Sequence, residues 1–281
     1  MKKKLHFLII DPQVDFCDPK GNLYVGDPSN PKVGAIADSI RLANLISRMS
    51  KQITEIHCTL DTHRFIHIAH PIFWWSDKES KHPDPFTLIF EDDILNGKWR
   101  TTVPAWMPRA TEYVKNLKKN NRYILCIWPP HCLIGSPGHN VIGPVFKSFI
   151  EFESDPRLRN IDYVTKGSNM WTEHYSAVQA DVIDSTDSTT ILNKDLIKIL
   201  EDADVIAISG QALSHCVANT IRDIVKDFGP ETIKKFVLIS DTTSAVSDLP
   251  GSTMFKDMAD GFIKEMTSKG MQICIADDFN I

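Results

Sequence analysis

The sequence predicts an α/β fold of three layers, in which a mostly parallel sheet is covered by helices on both faces. Short apolar runs recur along the 281 residues, and amphipathic helical patterns lie between them. The apolar runs are mostly continuous rather than alternating, which is typical of strands that are covered on both faces. Strand–helix alternation of this kind favours one parallel sheet of the Rossmann-like type.

Seven apolar runs are predicted to be strands, and five amphipathic stretches are predicted to be helices. In the first of these helices, Leu42, Leu45 and Met49 recur at the spacing of one helical face. Gly229 and Gly270 are typical of residues that end a helix. The predicted strands are 5–10, 53–60, 123–127, 163–165, 204–209, 235–239 and 271–275, and the predicted helices are 33–49, 105–119, 193–202, 214–228 and 252–269.

The chain, residues 1–281, is predicted to form a single domain with a long insertion at about 71–122. No internal repeat, low-complexity tract or linker divides it, and its length suffices for one large α/β core. The stretch from Pro71 to Thr102 is rich in Pro, Trp and Asp and has no clear periodicity. We interpret this stretch as an ordered excursion near the site, such as a lid.

Composition and charge exclude several classes of partner. The formal charge is −5 and no basic stripe appears, so no nucleic-acid partner is expected. No stretch approaches the ~18 apolar residues that a membrane span needs, and the run Leu5–Ile10 is too short for a signal peptide. We therefore expect a cytoplasmic location and six reduced cysteines. The number of subunits stays open, and a homo-oligomer is compatible with the sequence.

Polar side chains follow the first three predicted strands. Asp11 ends the first strand, Asp61 and His63 follow the second, and His131 follows the third after a rigid Trp-Pro-Pro turn. Asp61 and His63 point the same way in extended chain, so one ion could bind both. One carboxylate and two imidazoles leave positions open for water or substrate, as in catalytic metal sites. The alternative is a turn aspartate and surface histidines.

A second group follows the fourth and fifth predicted strands. Lys166 directly follows the fourth, and Cys216 lies in the first turn of the helix after the fifth. Unpaired N–H groups and the helix dipole favour a thiolate there, and a neighbouring lysine would lower the thiol pKa further. Asp11 could accept the thiol proton, and the same N–H groups could form an oxyanion site. A packed helix cysteine is the alternative.

The order of these motifs resembles the nicotinamidase branch of the isochorismatase-like cysteine hydrolases. The resemblance covers about residues 5 to 245, and its specificity lies in the shared order at strand ends rather than in any single piece. The motifs are Asp11-x-Gln13-x-Asp15-Phe16, Asp61-x-His63, Trp128-Pro-x-His131-Cys132, Gly135-Ser136-x-Gly138, Lys166-Gly167, Cys216-Val217-x-x-Thr220-x-x-Asp223 and Leu238-x-x-Asp241.

The resemblance implies a catalytic role for several of these residues. Cys216 corresponds to the nucleophile, Asp11 to the proton acceptor and later donor, and Lys166 to the cation that holds the pair. The backbone N–H groups of Ala212 and Cys216 correspond to the oxyanion hole of the family. The Gln211–Ala212 peptide corresponds to a bond that is cis in the family.

The resemblance also implies a metal site. Asp61, His63 and His131 correspond to the ligands of one divalent ion. Zinc is the expected ion, and iron and manganese are the alternatives. His67 falls where many nicotinamidases have a further histidine, so it is the candidate fourth ligand. His70 is its competitor.

The expected substrate is a small amide, either nicotinamide or a related heteroaromatic amide. Phe16 and Trp128 match the positions that flank the substrate ring in the family. Arg64-Phe65-Ile66-His67 differs from the proline-led segment of many nicotinamidases, and the insertion is longer than a compact nicotinamidase needs. Both differences lie beside the expected pocket, so they bear on which amide is hydrolysed.

Four alternatives differ from this interpretation in the residues that each would need. A metal-free amidase of the same fold, acting on N-carbamoyl or ureido compounds, would not need Asp61, His63 and His131 together. A relative that hydrolyses isochorismate works without the cysteine and the metal triad, and an inactive binding module would not need Asp11, Lys166 and Cys216. A dinucleotide-dependent dehydrogenase is excluded because no glycine-rich fingerprint follows the first strand.

Overall fold

The protein is described from a computed structural model that covers residues 3–229 and 231–281, and it has the predicted fold class. Within these residues, a central sheet of six strands lies between helices on both faces, and every pairing in that sheet is parallel. Its strands are β1 (Leu5–Ile10), β2 (Ile53–Asp61), β3 (Asp162–Lys166), β4 (Val205–Gly210), β5 (Phe236–Ile239) and β6 (Gln272–Cys274).

The order of the strands determines where a site can form. Across the sheet the order is β6-β5-β4-β1-β2-β3: the chain adds β2 and β3 on one side of β1, and then β4, β5 and β6 on the other. Ligands of open parallel sheets bind at the carboxyl ends of the strands where the order switches sides in this way. The register aligns Ile10 with Gly210 and Asp61 with Lys166, so the residues that follow these strands meet at one edge.

In the described part of the chain, six helices longer than two turns flank the sheet. The first and third of them pack against each other, and the third was not predicted. Its apolar residues Val145, Phe149 and Phe152 are buried and have helical spacing. The helix was not predicted because it begins with Gly143 and Pro144, which are typical of loops. The helices are α1 (Ala35–Met49), α2 (Met107–Lys119), α3 (Gly143–Glu153), α4 (Lys194–Glu201), α5 (Ala218–Phe228) and α6 (Met254–Ser268).

The predicted strand at 123–127 is wrong as a member of the central sheet. Only Leu125–Cys126 is extended, and it pairs antiparallel with Leu88–Ile89 of the insertion. The N–H of Ile127 donates to the carbonyl of Thr87, so the insertion takes the backbone groups that a sheet neighbour would use.

The insertion at about 71–122 has regular structure of its own. Trp74–Trp75 pairs antiparallel with Arg100–Thr101, and a short helix covers Glu91–Leu95. The Trp74 ring is buried and its indole N–H donates to the carbonyl of Ile68 at 2.6 Å, which anchors the insertion beside the segment after β2. That the chain forms a single domain stays a prediction.

Two further expectations concern thiols and membranes. All six cysteines have free thiols, as predicted. Among residues 3–229 and 231–281, no helix combines the length and apolar character that crossing a membrane requires.

The contact between β1 and β4 predicts a sharp sensitivity at Gly210. Its φ is +105°, and a Cβ there would lie 1.9 Å from the carbonyl oxygen of Ile10. We expect Gly210→Ala to lower the free energy of unfolding by about 2–4 kcal/mol, measured by urea titration. Gly261→Ala is the control, because no atom lies within 4 Å of a Cβ there; within α6 it should stabilise the protein by about 1 kcal/mol. A Gly210→Ala variant as stable as wild type would contradict this packing.

Candidate active site

Asp11 lies at the carboxyl end of β1 and is fully buried. Its φ is +44°, a conformation that non-glycine residues adopt mainly where the surroundings enforce it. Thr59 supports it from β2: the Thr59 hydroxyl donates to Asp11 Oδ1 at 2.6 Å and accepts from the Asp11 N–H at 3.0 Å. The second carboxylate oxygen is thereby directed towards the lysine of β3.

Lys166 brings the predicted catalytic groups together. Its Nζ lies 2.9 Å from Asp11 Oδ2, 3.6 Å from Cys216 Sγ and 3.2 Å from Asp61 Oδ1. A fourth contact is the carbonyl of His174, which accepts from Nζ at 3.0 Å. The sulfur, carboxylate and ammonium that the sequence places far apart therefore converge, as predicted.

Burial changes the expected protonation of this group. It raises the pKa of the Cys216 thiol well above its ordinary value, and the opposing effect of Lys166 does not overcome it. Lys166 does lower this pKa, as predicted, but the net shift is upward because burial has the larger effect and Asp11 and Asp61 also disfavour a thiolate. Burial raises the pKa of Asp11 too, against the effect of Lys166, which makes this carboxylate a stronger base than an exposed aspartate.

Lys166 itself is held in its charged form. Burial alone would lower the pKa of its ammonium, but the carboxylates of Asp11 and Asp61 raise it well above the ordinary value. Burial would likewise raise the pKa of Asp61, but the neighbouring His63 and Lys166 bring it well below the ordinary value. Asp61 is thus ionised beside the Lys166 ammonium.

The backbone around Cys216 is a π-helical turn, Leu213–Val217, that continues directly into α5. The Gln211–Ala212 peptide before it is cis, as the resemblance implies. The carbonyl of Ala212 accepts from the N–H groups of His215 and Val217 at 3.0 and 3.2 Å. This turn keeps the N–H groups of Ala212 and Cys216, the two predicted oxyanion donors, on the same short stretch of chain.

Asp38 of α1 supports this turn, a role that was not predicted from the sequence. Its Oδ2 accepts from the Gln211 amide at 3.0 Å and from the Ser244 hydroxyl at 2.6 Å, while Arg41 pairs with Oδ1 at 2.7 Å. The signal in the sequence was a charged residue one helical turn before Leu42, on the apolar face of α1.

The predicted metal ligands also converge. Ligand atoms of Asp61, His63 and His131 all lie within 4.8 Å of one another. Asp61 Oδ2 is 3.0 Å from His63 Nε2 and 3.5 Å from His131 Nε2. The Nδ1 atoms of the two histidines face the carbonyls of Gly167 and Pro129, at 3.1 and 2.8 Å. Since a carbonyl only accepts, Nδ1 carries the proton and each Nε2 presents a lone pair to the centre.

These residues fit a divalent ion. His63 Nε2 is buried and has no hydrogen-bond partner among the described residues, a costly state that a cation would relieve. The carbonyls behind both histidines fix the ring orientation in the way that supports metal-ligating imidazoles. Imidazole and carboxylate together suit zinc, iron or manganese.

The two candidates for a fourth ligand, His67 and His70, differ in whether a ring nitrogen is free; the His67 ring is the nearer to His63, at 4.5 Å. Both ring nitrogens of His67 already have partners: Nε2 donates to the carbonyl of Thr172 at 3.1 Å, and Nδ1 accepts from the N–H of Ala69 at 3.2 Å. His70 donates from Nδ1 to the carbonyl of Phe65, which leaves Nε2 buried and unpartnered within the described residues. Its ring centre lies 5.4 Å from that of His63 and 5.7 Å from that of His131.

The space around Gly167 explains why a glycine follows Lys166. The φ of Gly167 is +85°, and a Cβ at this position would lie 2.6 Å from Asp61 Oδ1. A side chain would therefore displace the Asp61 carboxylate, which contacts Lys166, His63 and His131. A glycine is therefore required after Lys166, because a side chain at position 167 would not fit beside Asp61.

The two residues predicted to flank the substrate ring lie at the edges of this centre. The Phe16 ring is 5.3 Å from that of His131. Trp128 donates from its indole N–H to the Tyr175 hydroxyl at 2.9 Å. Phe86 of the insertion meets Trp128 edge-on, with ring centres 5.7 Å apart. The insertion thus contributes to the aromatic surroundings of the site, and neither Phe86 nor Tyr175 had been assigned a role from sequence.

Comparison with known proteins supports the fold at low sequence identity. No family model and no curated protein matches the sequence. A yeast nicotinamidase structure is 20% identical, with a TM-score of 0.62 over 96% of this chain and 98% of its own. A nicotinamidase/pyrazinamidase from Acinetobacter baumanii is 19% identical, with a TM-score of 0.61 over 98% of both chains. A Pyrococcus horikoshii pyrazinamidase in complex with zinc is 18% identical, with a TM-score of 0.54 over 97% of this chain and 99% of its own.

The chain therefore has the isochorismatase-like α/β fold, as the motifs predicted. Within that fold, the similar structures just described are nicotinamidases and pyrazinamidases.

The histidine geometry predicts which variant weakens metal binding. His70→Ala should reduce zinc affinity by about tenfold or more, because it removes a free nitrogen beside the ligand set. His67→Ala should leave that affinity close to wild type, because both of its nitrogens are engaged elsewhere. Zinc release to a competing chelator measures both variants, and Asp61→Asn identifies which zinc belongs to this site. Greater weakening in His67→Ala than in His70→Ala would restore His67 as the ligand.

Proposed function

We propose that this protein is a metal-assisted cysteine amidohydrolase that converts nicotinamide, or a related heteroaromatic amide, into the acid and ammonia. The observation that carries the proposal is the contact of Lys166 with Asp11, Cys216 and Asp61 at one edge of the sheet. A nucleophile, a base and a metal-ligand carboxylate thus share a single cation. The shared fold with nicotinamidases supports the same reaction class.

The reaction begins with activation of the thiol. The Cys216 thiol is protonated at rest, and Asp11 accepts its proton as the sulfur attacks the amide carbonyl. Lys166 stays charged throughout and holds both groups in place. The raised pKa of Asp11 suits this carboxyl for accepting the proton and then returning it.

The tetrahedral intermediate and the thioester follow. The N–H groups of Ala212 and Cys216 stabilise the oxyanion, and each such donor contributes roughly 10²–10³ to the rate in known hydrolases. Asp11 then gives its proton to the leaving nitrogen, and ammonia departs as the thioester forms. Water hydrolyses the thioester, which releases the acid and restores the thiol.

Substrate orientation rests on the remaining residues. Asp61, His63 and His131 would hold a divalent ion, with His70 as the fourth protein ligand; when bound, the ion supplies a Lewis acid for the ring nitrogen of the substrate. Phe16 and Trp128 would flank the ring, so that its carboxamide lies over Cys216. Phe86, which packs on Trp128, gives the insertion an influence on which ring is accepted.

The nucleophile assignment predicts the effect of removing one sulfur. Cys216→Ala should abolish ammonia release from nicotinamide, because the substitution removes the atom that forms the thioester. Cys274→Ala is the matched control: it removes a thiol from β6, outside the group around Lys166, and should keep full activity. Equal ammonia release by Cys216→Ala and wild type would refute the nucleophile.

A substrate panel separates the proposed reaction from a metal-free amidase of the same fold. Nicotinamide and pyrazinamide should be hydrolysed, and Asp61→Asn should lose both that activity and the bound metal. Release of ammonia from N-carbamoyl or ureido compounds alone, unaffected by Asp61→Asn, would favour the metal-free amidase.

A further inference from the structure

A second cluster of metal-binding side chains lies within the sheet, away from the site just described. His6 is in β1, Glu55 and His57 are in β2, and Asp162 begins β3. His57 precedes Asp61 by four residues of extended strand, which corresponds to about 13 Å. The cluster therefore cannot share an ion with the catalytic centre.

Three of these residues present ligand atoms to one another. His6 Nδ1 is 3.1 Å from His57 Nε2, and His57 Nε2 is 3.7 Å from Glu55 Oε2. All three ligand atoms lie within 4.8 Å of one another. Ligands around a tetrahedral zinc ion are separated by about 3.3 Å, since zinc–nitrogen and zinc–oxygen bonds are about 2.0–2.2 Å. The separations of 3.1 Å and 3.7 Å lie on either side of that distance.

The fourth residue orients the cluster. His57 Nδ1 donates to Asp162 Oδ2 at 2.8 Å, which directs Nε2 towards His6. A carboxylate behind a ligating histidine is the usual outer support of a protein metal site.

A hydrogen bond between the two rings explains less of the geometry. It would use one nitrogen from each ring and leave Glu55 Oε2, at 3.7 Å from His57 Nε2, without a bond to either ring. A cation would engage both imidazoles and this carboxylate at once. The Glu55 side chain is 50% exposed, which gives an ion access to two rings that are otherwise buried.

We infer that His6 Nδ1, His57 Nε2 and Glu55 Oε2 bind a second divalent transition-metal ion, with Asp162 as the outer support of His57. Two imidazoles and one carboxylate select zinc or a neighbouring transition metal rather than calcium or magnesium. This ion would connect β1 to β2 and, through Asp162, to β3. Its role is to stabilise the sheet, because the cluster lies apart from the reacting groups.

Counting zinc tests this inference. The whole protein is stripped with a chelator, reloaded with zinc, desalted and assayed by elemental analysis. Wild type should retain about two zinc ions per chain, whereas Glu55→Gln and His57→Ala should retain about one. Glu112→Gln, which changes an exposed carboxylate of α2 in the same way, should retain about two. Glu55→Gln decides the result if His57→Ala does not fold.

Two further measurements separate this site from the proposed amidase site. Asp61→Asn should also retain about one zinc but lose activity, whereas Glu55→Gln should keep activity while losing zinc. Zinc should raise the thermal midpoint of wild type more than that of Glu55→Gln. One zinc in wild type that only Asp61→Asn removes, or two that Glu55→Gln and His57→Ala both retain, would overturn the second site.

Discussion

The buried ammonium of Lys166 determines how the side chains at the carboxyl ends of β1, β2 and β3 are arranged. Lys166 lies between Asp11 and Asp61, and its side chain and those of both carboxylates are almost completely buried. None of these charges would be tolerated there alone, and removing one partner of a buried pair typically costs 3–5 kcal/mol. Because the three residues end three adjacent strands, the ion group also fixes how β1, β2 and β3 end relative to one another. The same contacts therefore constrain both the ends of these strands and the positions of the groups proposed to be catalytic.

Much of the fold and site could be predicted because parallel strands bring their carboxyl ends to one edge. Asp11, Asp61 and Lys166 could be placed together from that rule alone, and Cys216 from the helix that follows β4. The apolar runs predicted the six strands of the sheet to within about two residues at each end. The pattern is clearest in the buried strands β1, β4 and β5, whose residues are almost all apolar.

The rest depended on contacts between segments that are distant in sequence. The difference between His67 and His70 rests on which carbonyl lies behind each ring, Thr172 for one and Phe65 for the other. The strand at 123–127 was misplaced because the insertion occupies its backbone groups. The thiol pKa was misjudged because burial exceeds the effect of a single neighbouring lysine, a balance that requires the packed structure.

The burial and the raised pKa of the Cys216 thiol affect how readily its sulfur is oxidised. Peroxides attack thiolates far faster than thiols, and each step from sulfenic to sulfonic acid makes the damage harder to reverse. Only 6% of the Cys216 residue surface is exposed. Under the proposed mechanism, the resting protein therefore keeps this sulfur in its less oxidisable thiol form and produces the thiolate only during attack on the substrate.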